Sequence, residues 1–450
     1  MKAIILAAGK GTRMKSELQK VMHPILGKPM LQYVVDVARD AGCRDITVVV
    51  GKDGAEIEKG LAAFANEGVS FAVQAEALGT GDAVKAGAGR ITPGDDVLVL
   101  CGDMPLITVG FVQSFVEFAR VSGAEATVAA VYKPSPGDFG RVFDRDGEFI
   151  EIVEARDITS SHYHTDWANT GIYMFKGASL LRGLERLTNS NSQGEYYLTD
   201  VPKILSEEGK SVRVFHSGED LSVFTGINTQ MQLAEAAWHM RARINVAHML
   251  AGVRMLDPDS THIDCGVKIA SGAVIYPGTI LEGSCEISAA VIGPYSHLKD
   301  TSVGEGASVR QSVCEGAKIG AGTAVGPFAY LRPDAVIGKN CRVGNFVEVK
   351  NSTLGDGTKM AHLAYIGDAD VGTNVNYSCG AITANYDGAK KHRTRIGNNA
   401  FIGSNANLIA PVEIGADGFV AAGSTITDDL PPCSLGIARE RQCTKLNWKK

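Results

Sequence analysis

The sequence predicts two folds in tandem: an α/β domain with a parallel sheet, followed by a parallel β-helix of six-residue repeats. Three observations lead to this prediction. Short apolar runs alternate with helix-like segments over residues 1 to 225, which is typical of a parallel sheet covered by helices. A long segment without glycine or proline follows. Beyond it, aliphatic residues recur every six positions, the period of hexapeptide solenoids.

In the first half, the apolar runs predict a series of strands and helices. One amphipathic helix is predicted over Pro29–Ala41, where apolar residues recur at helical spacing. The predicted strands are Ala3–Ala7, Ile46–Val50, Ser70–Gln74, Val97–Leu100 and Ala126–Tyr132. Met231–Leu250, rich in alanine, glutamine and arginine, is predicted to form one connecting helix.

In the second half, each hexad supplies a short strand, a turn and one aliphatic residue for a narrow core, and three hexads make one coil. The longest break lies between Tyr377 and Ile396, and its asparagine, tyrosine and lysine residues suggest a functional loop. The predicted inward residues are Ile263, Ile269, Ile275, Leu281, Ile287, Ile319, Val325, Leu331, Ile337, Val343, Val349, Leu354, Met360, Ile366, Val371, Tyr377, Ile396, Ile402, Leu408, Ile414, Val420 and Ile426. We therefore expect an α/β domain over residues 1–227, a linker helix over 228–250 and a β-helix with a C-terminal tail over 251–450.

Composition bounds the class of protein. Of the 450 residues, 21% are charged and the net charge is −6, so nothing indicates a nucleic-acid partner. No apolar run reaches the roughly 18 residues of a membrane span, and the run Ala3–Ala8 is shorter than a secretion signal requires. The nine cysteines form no CxxC pair, which fits a reducing compartment. We expect a cytoplasmic protein without a membrane partner.

A glycine-rich, basic turn, Gly9-Lys10-Gly11-Thr12-Arg13, follows the first predicted strand. It is not a dinucleotide-binding turn, since Met14 stands where the third glycine is needed, and the GxxxxGK[ST] pattern is absent. Glycines let consecutive N–H groups approach phosphate oxygens, and a helix starting there would add a favourable dipole. Arg13 and Lys20 add side-chain charge. The stretch predicts a loop that binds a triphosphate.

Asp103 follows the apolar run Val97–Leu100, at what is predicted to be the carboxyl end of a strand. A carboxylate in this position of an open α/β sheet is well placed to hold Mg²⁺. The alternative is that Asp103 caps a helix beginning after Pro105.

Several motifs in both halves resemble one family. They are Leu6–Met14, Gln74–Gly81, Gly102-Asp103, Asn169–Gly171, Gln193–Tyr197, Gly344–Glu348 and Asn385–Gly388. The chain resembles, over nearly its whole length, the bacterial bifunctional enzymes that make UDP-N-acetylglucosamine by joining an N-acetylglucosamine-1-phosphate uridyltransferase to a glucosamine-1-phosphate acetyltransferase. The first motif alone indicates only a sugar nucleotidyltransferase, whereas the last two are more specific. The resemblance implies a Rossmann-like nucleotidyltransferase domain, a left-handed β-helix, and a homotrimer with acyl-CoA sites between subunits.

For the first half, the resemblance implies that a sugar-1-phosphate oxygen attacks the α-phosphorus of UTP and that pyrophosphate leaves. Arg13 and Lys20 would stabilise the transition state, and Asp103 and Asn228 would hold Mg²⁺, although an asparagine before a helix is more often a cap. The implied nucleotide-binding residues are Leu6, Ala7, Ala8, Gly9, Lys20, Gln74, Gly79, Thr80, Gly102 and Asp103. The implied sugar-binding residues are Gly140, Glu154, Asn169 and Asn228. Relatives often carry tyrosine at the position of Cys101.

For the second half, the resemblance implies acetyl transfer from acetyl-CoA to the amine of glucosamine-1-phosphate, with His362 as general base. Because His362 lies between Met360 and Ile366, two successive inward positions of the six-residue period, it is expected to face outward rather than to serve as a core histidine. The implied sugar-binding residues are Arg332, Lys350, Tyr365, Asn376 and Lys391. The implied acetyl-CoA-binding residues are Cys379, Asn385, Tyr386, Ser404, Ala422 and Arg439.

The clearest departure from the family pattern is Tyr377-Ser378-Cys379. Tyr377 occupies an inward position, where a phenol strains a narrow core unless its hydroxyl finds a partner. Cys379 falls where the family places a small residue beside acetyl-CoA. A covalent relay through its thiol is one hypothesis; a small side chain that fills space is the other.

Two alternative functions differ from the bifunctional enzyme. One is a sugar-1-phosphate nucleotidyltransferase whose β-helix only regulates or oligomerises; His362 and the loop at Asn385 argue against it. The other is a non-catalytic scaffold, which the retention of Arg13, Lys20 and Asp103 disfavours.

Overall fold

The computed structural model describes residues 1–62, 68–159 and 164–448. It forms two compact units, Met1–Met240 and Arg241–Lys450. Within the described ranges, no helix combines the length and the apolar character that crossing a membrane requires.

The first unit is built on a nine-stranded mixed sheet. Its strands are β1 Lys2–Leu6, β4 Asp45–Val50, β5 Val69–Val73, β6 Asp96–Cys101, β7 Ala126–Tyr132, β8 Arg141–Arg145, β9 Glu148–Val153, β10 Trp167–Lys176 and β11 Val212–Ser217, while β2 Pro24–Ile25 and β3 Lys28–Pro29 form a separate two-stranded ribbon. The order is β5-β4-β1-β6-β10-β7-β11-β9-β8. The first four strands of that order are parallel to one another, and β10 pairs antiparallel with both β6 and β7.

Helices cover both faces of this sheet. They are α1 Met30–Asp40, α2 Ala55–Leu61, α3 Thr80–Gly87, α4 Val109–Ser122, α5 Gly177–Arg186 and α6 Asp200–Glu207. One apolar core lies under α1 and α4, and includes Leu31, Val34 and Phe115. The other lies under α3, α5 and α6, and includes Val84 and Leu180. The predicted α/β class is confirmed, and each strand named above from the sequence is found within about one residue of its predicted bounds.

One local prediction differs. The loop after β1 is followed only by a 3₁₀ turn, Thr12–Met14, and not by an α-helix. Any phosphate bound there meets loop N–H groups and basic side chains, without the dipole of a long helix.

Helix α7, Gln230–Leu250, begins in the first unit and ends in the second. In the second unit, the Asn245 side chain, 1% exposed, donates hydrogen bonds to the carbonyls of Pro258 (2.8 Å) and Thr261 (3.0 Å). These bonds fasten the end of α7 to the start of the solenoid. The predicted connecting helix is confirmed over its full length.

The second unit is a left-handed parallel β-helix. Its strands pair in parallel from coil to coil, as in the pairing of Lys268 with Glu286, 18 residues later. Some coils are shorter, since the Ala317 N–H donates to Thr301, 16 residues earlier. The strands form a 19-stranded and a nine-stranded sheet. They are Arg254–Met255, His262–Ile263, Lys268–Ile269, Val274–Ile275, Ile280–Glu282, Glu286–Ile287, Val291–Ile292, His297–Lys299, Ser302–Val303, Ser308–Val309, Val313–Glu315, Lys318–Ile319, Ala324–Val325, Tyr330–Leu331, Ala335–Ile337, Arg342–Lys350, Ser352–Leu354, Lys359–Gly367, Ala369–Val371, Asn376–Tyr377, Ile382–Ala384, Thr394–Ile396, Phe401–Ile402, Asn407–Ile409, Val412–Ile414, Phe419–Val420, Thr425–Ile426 and Leu435–Gly436.

The inward positions predicted from the six-residue period lie in one continuous core, with Ile269 only partly buried. Between Ile287 and Ile319, where the period gave no prediction, the core residues include Ile292, Leu298, Val303, Val309 and Cys314. Several of these hexads are one residue short, so the solenoid continues although the strict period is lost.

Tyr377 is 1% exposed, and burial raises the pKa of its phenol above its ordinary value. Its hydroxyl lies 3.4 Å from the Tyr365 carbonyl and donates to it. The buried phenol therefore has the polar partner that the sequence argument required.

The insert predicted between Tyr377 and Ile396 lengthens one coil, so that Thr373 bonds to Asn398, 25 residues later. Asn385 at its start donates to the Asp368 carboxylate, and Arg393 at its end forms a two-point ion pair with Asp370. Parallel pairing then resumes with Asp370 opposite Arg395. The insert is therefore a loop fixed at both ends on an uninterrupted ladder.

In the strand Ser352–Leu354, Leu354 faces the core and Thr353 faces solvent, and this difference predicts different effects on stability. Leu354 is 1% exposed, and we expect Leu354→Ala to lower the free energy of unfolding of the solenoid by about 2–5 kcal/mol, because it leaves a cavity in a narrow core. Urea denaturation followed by circular dichroism measures this. The neighbouring Thr353 faces solvent, so Thr353→Ala serves as the control and should change stability by less than about 0.5 kcal/mol. Equal losses in the two variants would contradict the assignment of inward and outward faces.

Candidate active sites

In the first unit, a cavity of about 290 Å³ lies at the carboxyl ends of β1 and β6. Its lining includes nearly all of the residues that the sequence assigned to the nucleotide: Leu6, Ala7, Ala8, Gly9, Lys20, Gln74, Gly79, Thr80 and Asp103. Gly102 stands directly behind it, where its N–H donates to the Leu6 carbonyl at 2.9 Å. The predicted nucleotide residues therefore come together at one place.

Close packing explains two of the glycines. A Cβ at Gly102 would lie 2.9 Å from the Leu31 side chain and 3.0 Å from the Leu6 carbonyl oxygen. Gly11 has a φ of +61°, and a Cβ there would lie 2.5 Å from the Cβ of Lys20. Both positions need glycine, because the chain after β6 packs closely against β1 and α1 at Gly102, and the loop after β1 packs closely against Lys20 at Gly11. Arg13 stands exposed on this loop.

Lys20 is the charged centre of the cavity. It is 8% exposed, and its ammonium lies 2.6 Å from Asp103 Oδ2 and 3.1 Å from Asn228 Oδ1. The two residues predicted to hold Mg²⁺ thus already direct their oxygens at one cation. A side chain at Gly226 would stand 3.4 Å from both carboxylate oxygens of Asp103, so the small residue there leaves the carboxylate open.

This donor set fits Mg²⁺, which takes oxygen ligands and is commonly held by one or two carboxylates together with substrate phosphates. The helix-capping alternatives do not apply. Thr108 caps α4, where its hydroxyl accepts from the Phe111 N–H at 3.1 Å, and the Thr229 hydroxyl accepts from the Gln232 N–H at 3.2 Å at the start of α7. Asp103 and Asn228 are therefore available for another role.

A second group of predicted residues lies together in the first unit. The Asn169 N–H donates to the Gly140 carbonyl at 2.8 Å, and a Cβ at Gly140 would lie 3.4 Å from Glu154 Oε2. Burial, with a smaller contribution from Asp157 and Asp200, raises the pKa of Glu154, whereas a hydrogen bond from Thr199 opposes the shift. Gly140, Glu154 and Asn169, three of the four residues that the resemblance assigned to the sugar, thus lie together, whereas Asn228 contacts Lys20.

Cys101 lines the nucleotide cavity, and its thiol donates to the Gly171 carbonyl at 3.7 Å. Burial raises the pKa of this thiol to about 12. The group is therefore a neutral side chain that fills space, and not a thiolate.

In the second unit, His362 lies exposed on the long strand Lys359–Gly367. Its Nδ1 is 3.2 Å from Oδ1 of Asn345, the residue directly opposite on the preceding coil. With the Asn345 amide oxygen towards the ring, Nδ1–H donates to it, and a neutral imidazole then has its lone pair on Nε2, as a general base requires.

Cationic side chains gather one turn further along the same strands. Lys391 from the insert lies against Lys350, and the repulsion between the two ammonium groups lowers the pKa of Lys350. Arg332, one coil earlier, adds a smaller repulsion and is paired with Glu348 at 2.9 Å. Tyr365 lies opposite Glu348 on the next coil. Two adjacent ammonium groups at the surface form a site for an anion.

Asn376 is placed apart from this cluster. It pairs with Lys359 on the preceding coil, three residues before His362, and its amide donates to Ser378 Oγ at 3.2 Å. Within this single chain, Asn376 thus stands on one side of His362, and Tyr365 and Lys350 stand on the other.

Four residues assigned to acetyl-CoA form a column along one corner of the solenoid. The first three are linked by backbone hydrogen bonds, since the Asn405 N–H donates to Cys379 (2.9 Å) and the Gly423 N–H donates to Ser404 (2.8 Å), each one coil back. The Gly380 N–H bonds to Leu363, the neighbour of His362, in the same way. Arg439 lies beside Gly423, with its Cδ 3.8 Å from where a Cβ of that glycine would stand. The column, all of it exposed, therefore runs from His362 through Cys379, Ser404 and Ala422 to Arg439.

The other two residues assigned to acetyl-CoA, Asn385 and Tyr386, lie in the insert. Asn385 is 9% exposed and its amide is held by Asp368, whereas Tyr386 is 62% exposed and its hydroxyl donates to the Gly388 carbonyl at 2.7 Å. Asp387 accepts two backbone N–H bonds and one from His392, which holds its pKa well below the ordinary value. Asn385 thus anchors the loop, and Tyr386 is presented to solvent.

Sequence reasoning assigned no role to Asn345, Glu348, Asp82 or Asp368, each of which holds a predicted site residue in place. Asn345 and Glu348 lie inside the Gly344–Glu348 motif, and their place in that motif could have indicated a functional role. Asp82 bonds to Gln74 and Asp368 bonds to Asn385 only through the fold, and no local pattern indicates either contact.

Comparison with known protein families agrees with both halves. The family described as "MobA-like NTP transferase domain" matches residues 3–197, and "Bacterial transferase hexapeptide (six repeats)" matches residues 316–351 and 393–428.

Curated relatives match along the entire chain. "Bifunctional protein GlmU" of Clostridioides difficile (strain 630) is 43% identical over 449 residues, which cover 99% of this chain and 97% of the relative. The protein of the same name from Geobacillus sp. (strain WCH70) is 46% identical with the same coverage, and that from Exiguobacterium sibiricum is 45% identical over 99% of each chain. A chain that shares both domains and this level of identity over its full length is a homologue throughout, and it belongs to the GlmU family of bifunctional proteins.

Proposed function

We propose that each of the two sites of this bifunctional transferase carries out one of its two reactions. The protein acetylates glucosamine-1-phosphate with acetyl-CoA, and it transfers UMP from UTP to N-acetylglucosamine-1-phosphate with release of pyrophosphate. We assign uridyl transfer to the cavity around Lys20 and acetyl transfer to the solenoid corner at His362. The observation that carries the proposal is that most predicted nucleotide residues, distant in the sequence, line one cavity of the first unit, whereas most predicted acetyl-transfer residues lie along one corner of the solenoid, with Asn376 apart.

In the first unit, the loop N–H groups after β1, together with Arg13 and Lys20, would bind the triphosphate. Lys20 is buried and paired with Asp103, so its charge is held at a fixed place where negative charge develops on the phosphates. Glu154 and Asn169 would bind the sugar hydroxyls or its N-acetyl group. These contacts would orient the sugar phosphate oxygen in line with the α-phosphorus, which is the main source of rate in phosphoryl transfer.

Mg²⁺ is the proposed cofactor of this site, with Asp103 and Asn228 as the residues that would hold it. When bound, the ion would offset the charge of the departing pyrophosphate. The pairing of both residues with the Lys20 ammonium supports this assignment, since it shows that the two oxygens converge on a cation.

In the second unit, His362 Nε2 would take a proton from the amine of glucosamine-1-phosphate while the amine attacks the thioester carbonyl of acetyl-CoA. Asn345 would keep the proton on Nδ1. Lys350 and Lys391 would bind the sugar phosphate, because two neighbouring ammonium groups gain most from a dianion between them. Arg439 at the far end of the column would bind phosphates of the coenzyme.

The alternative, a nucleotidyltransferase with a merely structural solenoid, is not favoured, because full-length relatives are bifunctional proteins by name. Cys379 fits a space-filling role, since it stands exposed in the coenzyme column between Leu363 and Ser404.

We place both reactions in the cytoplasm, where UTP and acetyl-CoA are available. All nine cysteines lie in the described ranges and are free thiols, which supports a reducing compartment.

A trimer is the proposed assembly, and an apolar ridge on the solenoid supports it. The ridge comprises Tyr295, Phe328, Phe346 and Leu363, each more than half exposed and each with a positive φ. Phe328 and Phe346 stack at 5.7 Å. Bulky side chains in the left-handed region are costly, and exposed apolar side chains aligned on one corner, with Gln311 on the coil between Tyr295 and Phe328, indicate an interface with another chain. Since Leu363 adjoins His362, an interface there would place a second subunit beside the acetyl-transfer site.

The two-site assignment predicts a crossed pattern of losses. Asp103→Ala should abolish uridyl transfer and leave acetyl transfer intact, because only the first site loses its carboxylate. His362→Ala should lower kcat of acetyl transfer by about 10²–10⁴-fold and leave uridyl transfer intact. Pyrophosphate release and coenzyme A release, measured on the same preparations, report the two activities. Loss of both activities from either folded variant would refute two separate sites.

The contact between Asn345 and His362 predicts a separate effect on acetyl transfer. Asn345→Ala should lower kcat about ten-fold with little change in KM for glucosamine-1-phosphate, since one orienting hydrogen bond is lost. Asn345→Asp should move the acidic limb of the kcat profile to higher pH, because a carboxylate favours the protonated imidazole. An unchanged kcat in Asn345→Ala, or an unshifted limb in Asn345→Asp, would contradict the orienting role.

The ridge predicts a change in assembly. The double variant Phe328→Ser/Phe346→Ser should lower the mass measured by sedimentation velocity from that of three chains, and acetyl transfer should fall with it while uridyl transfer persists. Val336, on a different face of the same solenoid, provides the control, and Val336→Ser should leave the mass unchanged. A double variant that retains the mass of three chains would exclude the ridge as the interface.

A further inference from the structure

The side-chain amide of Gln74 is held in one orientation. Gln74 follows β5, is 7% exposed and lines the nucleotide cavity. Its Nε2 lies 3.1 Å from the Gly79 carbonyl oxygen and 2.8 Å from Oδ2 of Asp82. A carbonyl and a carboxylate both accept hydrogen bonds and cannot donate, so only the NH₂ end of the amide can face them.

This orientation fixes what Gln74 can offer to a ligand. The NH₂ group has two hydrogens, and Gly79 and Asp82 accept one each. The oxygen Oε1 is the polar atom that remains, and an amide oxygen accepts hydrogen bonds. Towards a base in the cavity, Gln74 therefore acts as an acceptor alone.

An acceptor in this position separates the two common pyrimidines. Uracil carries a hydrogen on N3 and can donate it to Oε1. Cytosine has a lone pair on N3, which Oε1 repels, and its neighbouring exocyclic group is a donor where uracil has an acceptor. If the amide turned over, Gln74 would present a donor to the base and the preference would be reversed.

We propose that Asp82 is the positioning residue that makes this enzyme select UTP over CTP, by holding the amide of Gln74 with its oxygen towards the base. This inference rests on the proposed function, in which the cavity binds the nucleotide. Asp82 is better suited to the task than Gly79, because its bond to Nε2 is shorter and charge-assisted. It lies in the first turn of α3, Thr80–Gly87, which positions the carboxylate.

The experiment compares Asp82→Ala and Asp82→Asn with the unmodified full-length protein, by measuring kcat/KM for UTP and for CTP. In Asp82→Ala, the ratio of the two values should fall about ten-fold or more, because one of the two restraints on the amide is gone and kcat/KM for CTP rises. Asp82→Asn keeps an acceptor oxygen, so its ratio should lie between those of Asp82→Ala and the unmodified protein. Glu56→Ala, which removes an exposed acid from the first turn of α2, is the matched control and should leave the ratio unchanged.

A ratio that stays within two-fold of the original in Asp82→Ala, whether or not the overall rate falls, would overturn the proposal, because a purely structural role lowers both activities together. Should Asp82→Ala fail to fold, the ratio in Asp82→Asn decides: an unchanged ratio overturns the proposal and a reduced ratio supports it. Failure of the proposed function would look different, since the unmodified protein would then release no pyrophosphate with UTP.

Discussion

Parallel pairing of β-strands is the constraint on which both halves of this protein depend. In a parallel pair, equivalent residues of neighbouring strands stand side by side and all strands end at the same edge. In the first unit this brings the ends of β1 and β6 together, so that the glycine-rich loop and Asp103 share one cavity. In the second unit it stacks residues one coil apart, which aligns His362 with Asn345 and builds the column from Cys379 to Arg439.

The two sites use charge in opposite ways. In the cavity of the first unit, the buried Lys20 ammonium is paired with the Asp103 carboxylate at 2.6 Å. At the solenoid corner near His362, Lys350 and Lys391 lie together at the surface, where their repulsion lowers the pKa of Lys350 and an anion between them would be favoured. The charges of the first cavity are thus balanced by an ion pair, whereas the solenoid corner holds two adjacent positive charges.

The sequence predicted much of this, and the limits of prediction have physical reasons. The six-residue period located the solenoid core, because every inward residue meets the same environment; it failed between Ile287 and Ile319, where shortened hexads keep the stacking but change the spacing. The loop residues and His362 were predicted by motif. Asp82, Asn345 and Asp368 were assigned no role, since a residue that holds another in place is identified only by a contact that the fold creates.

The insert between Asn385 and Arg393 shows where this architecture accepts additional chain. Asp368 and Asp370 hold its two ends, and parallel pairing resumes at Arg395. The packing of the core therefore does not depend on the length of the loop. Doubling a flexible loop costs only about 0.6 kcal/mol in closure entropy. Evolution can therefore vary substrate contacts at this corner by insertion and deletion as well as by substitution, and a protein engineer could graft a new recognition loop between the same two anchors.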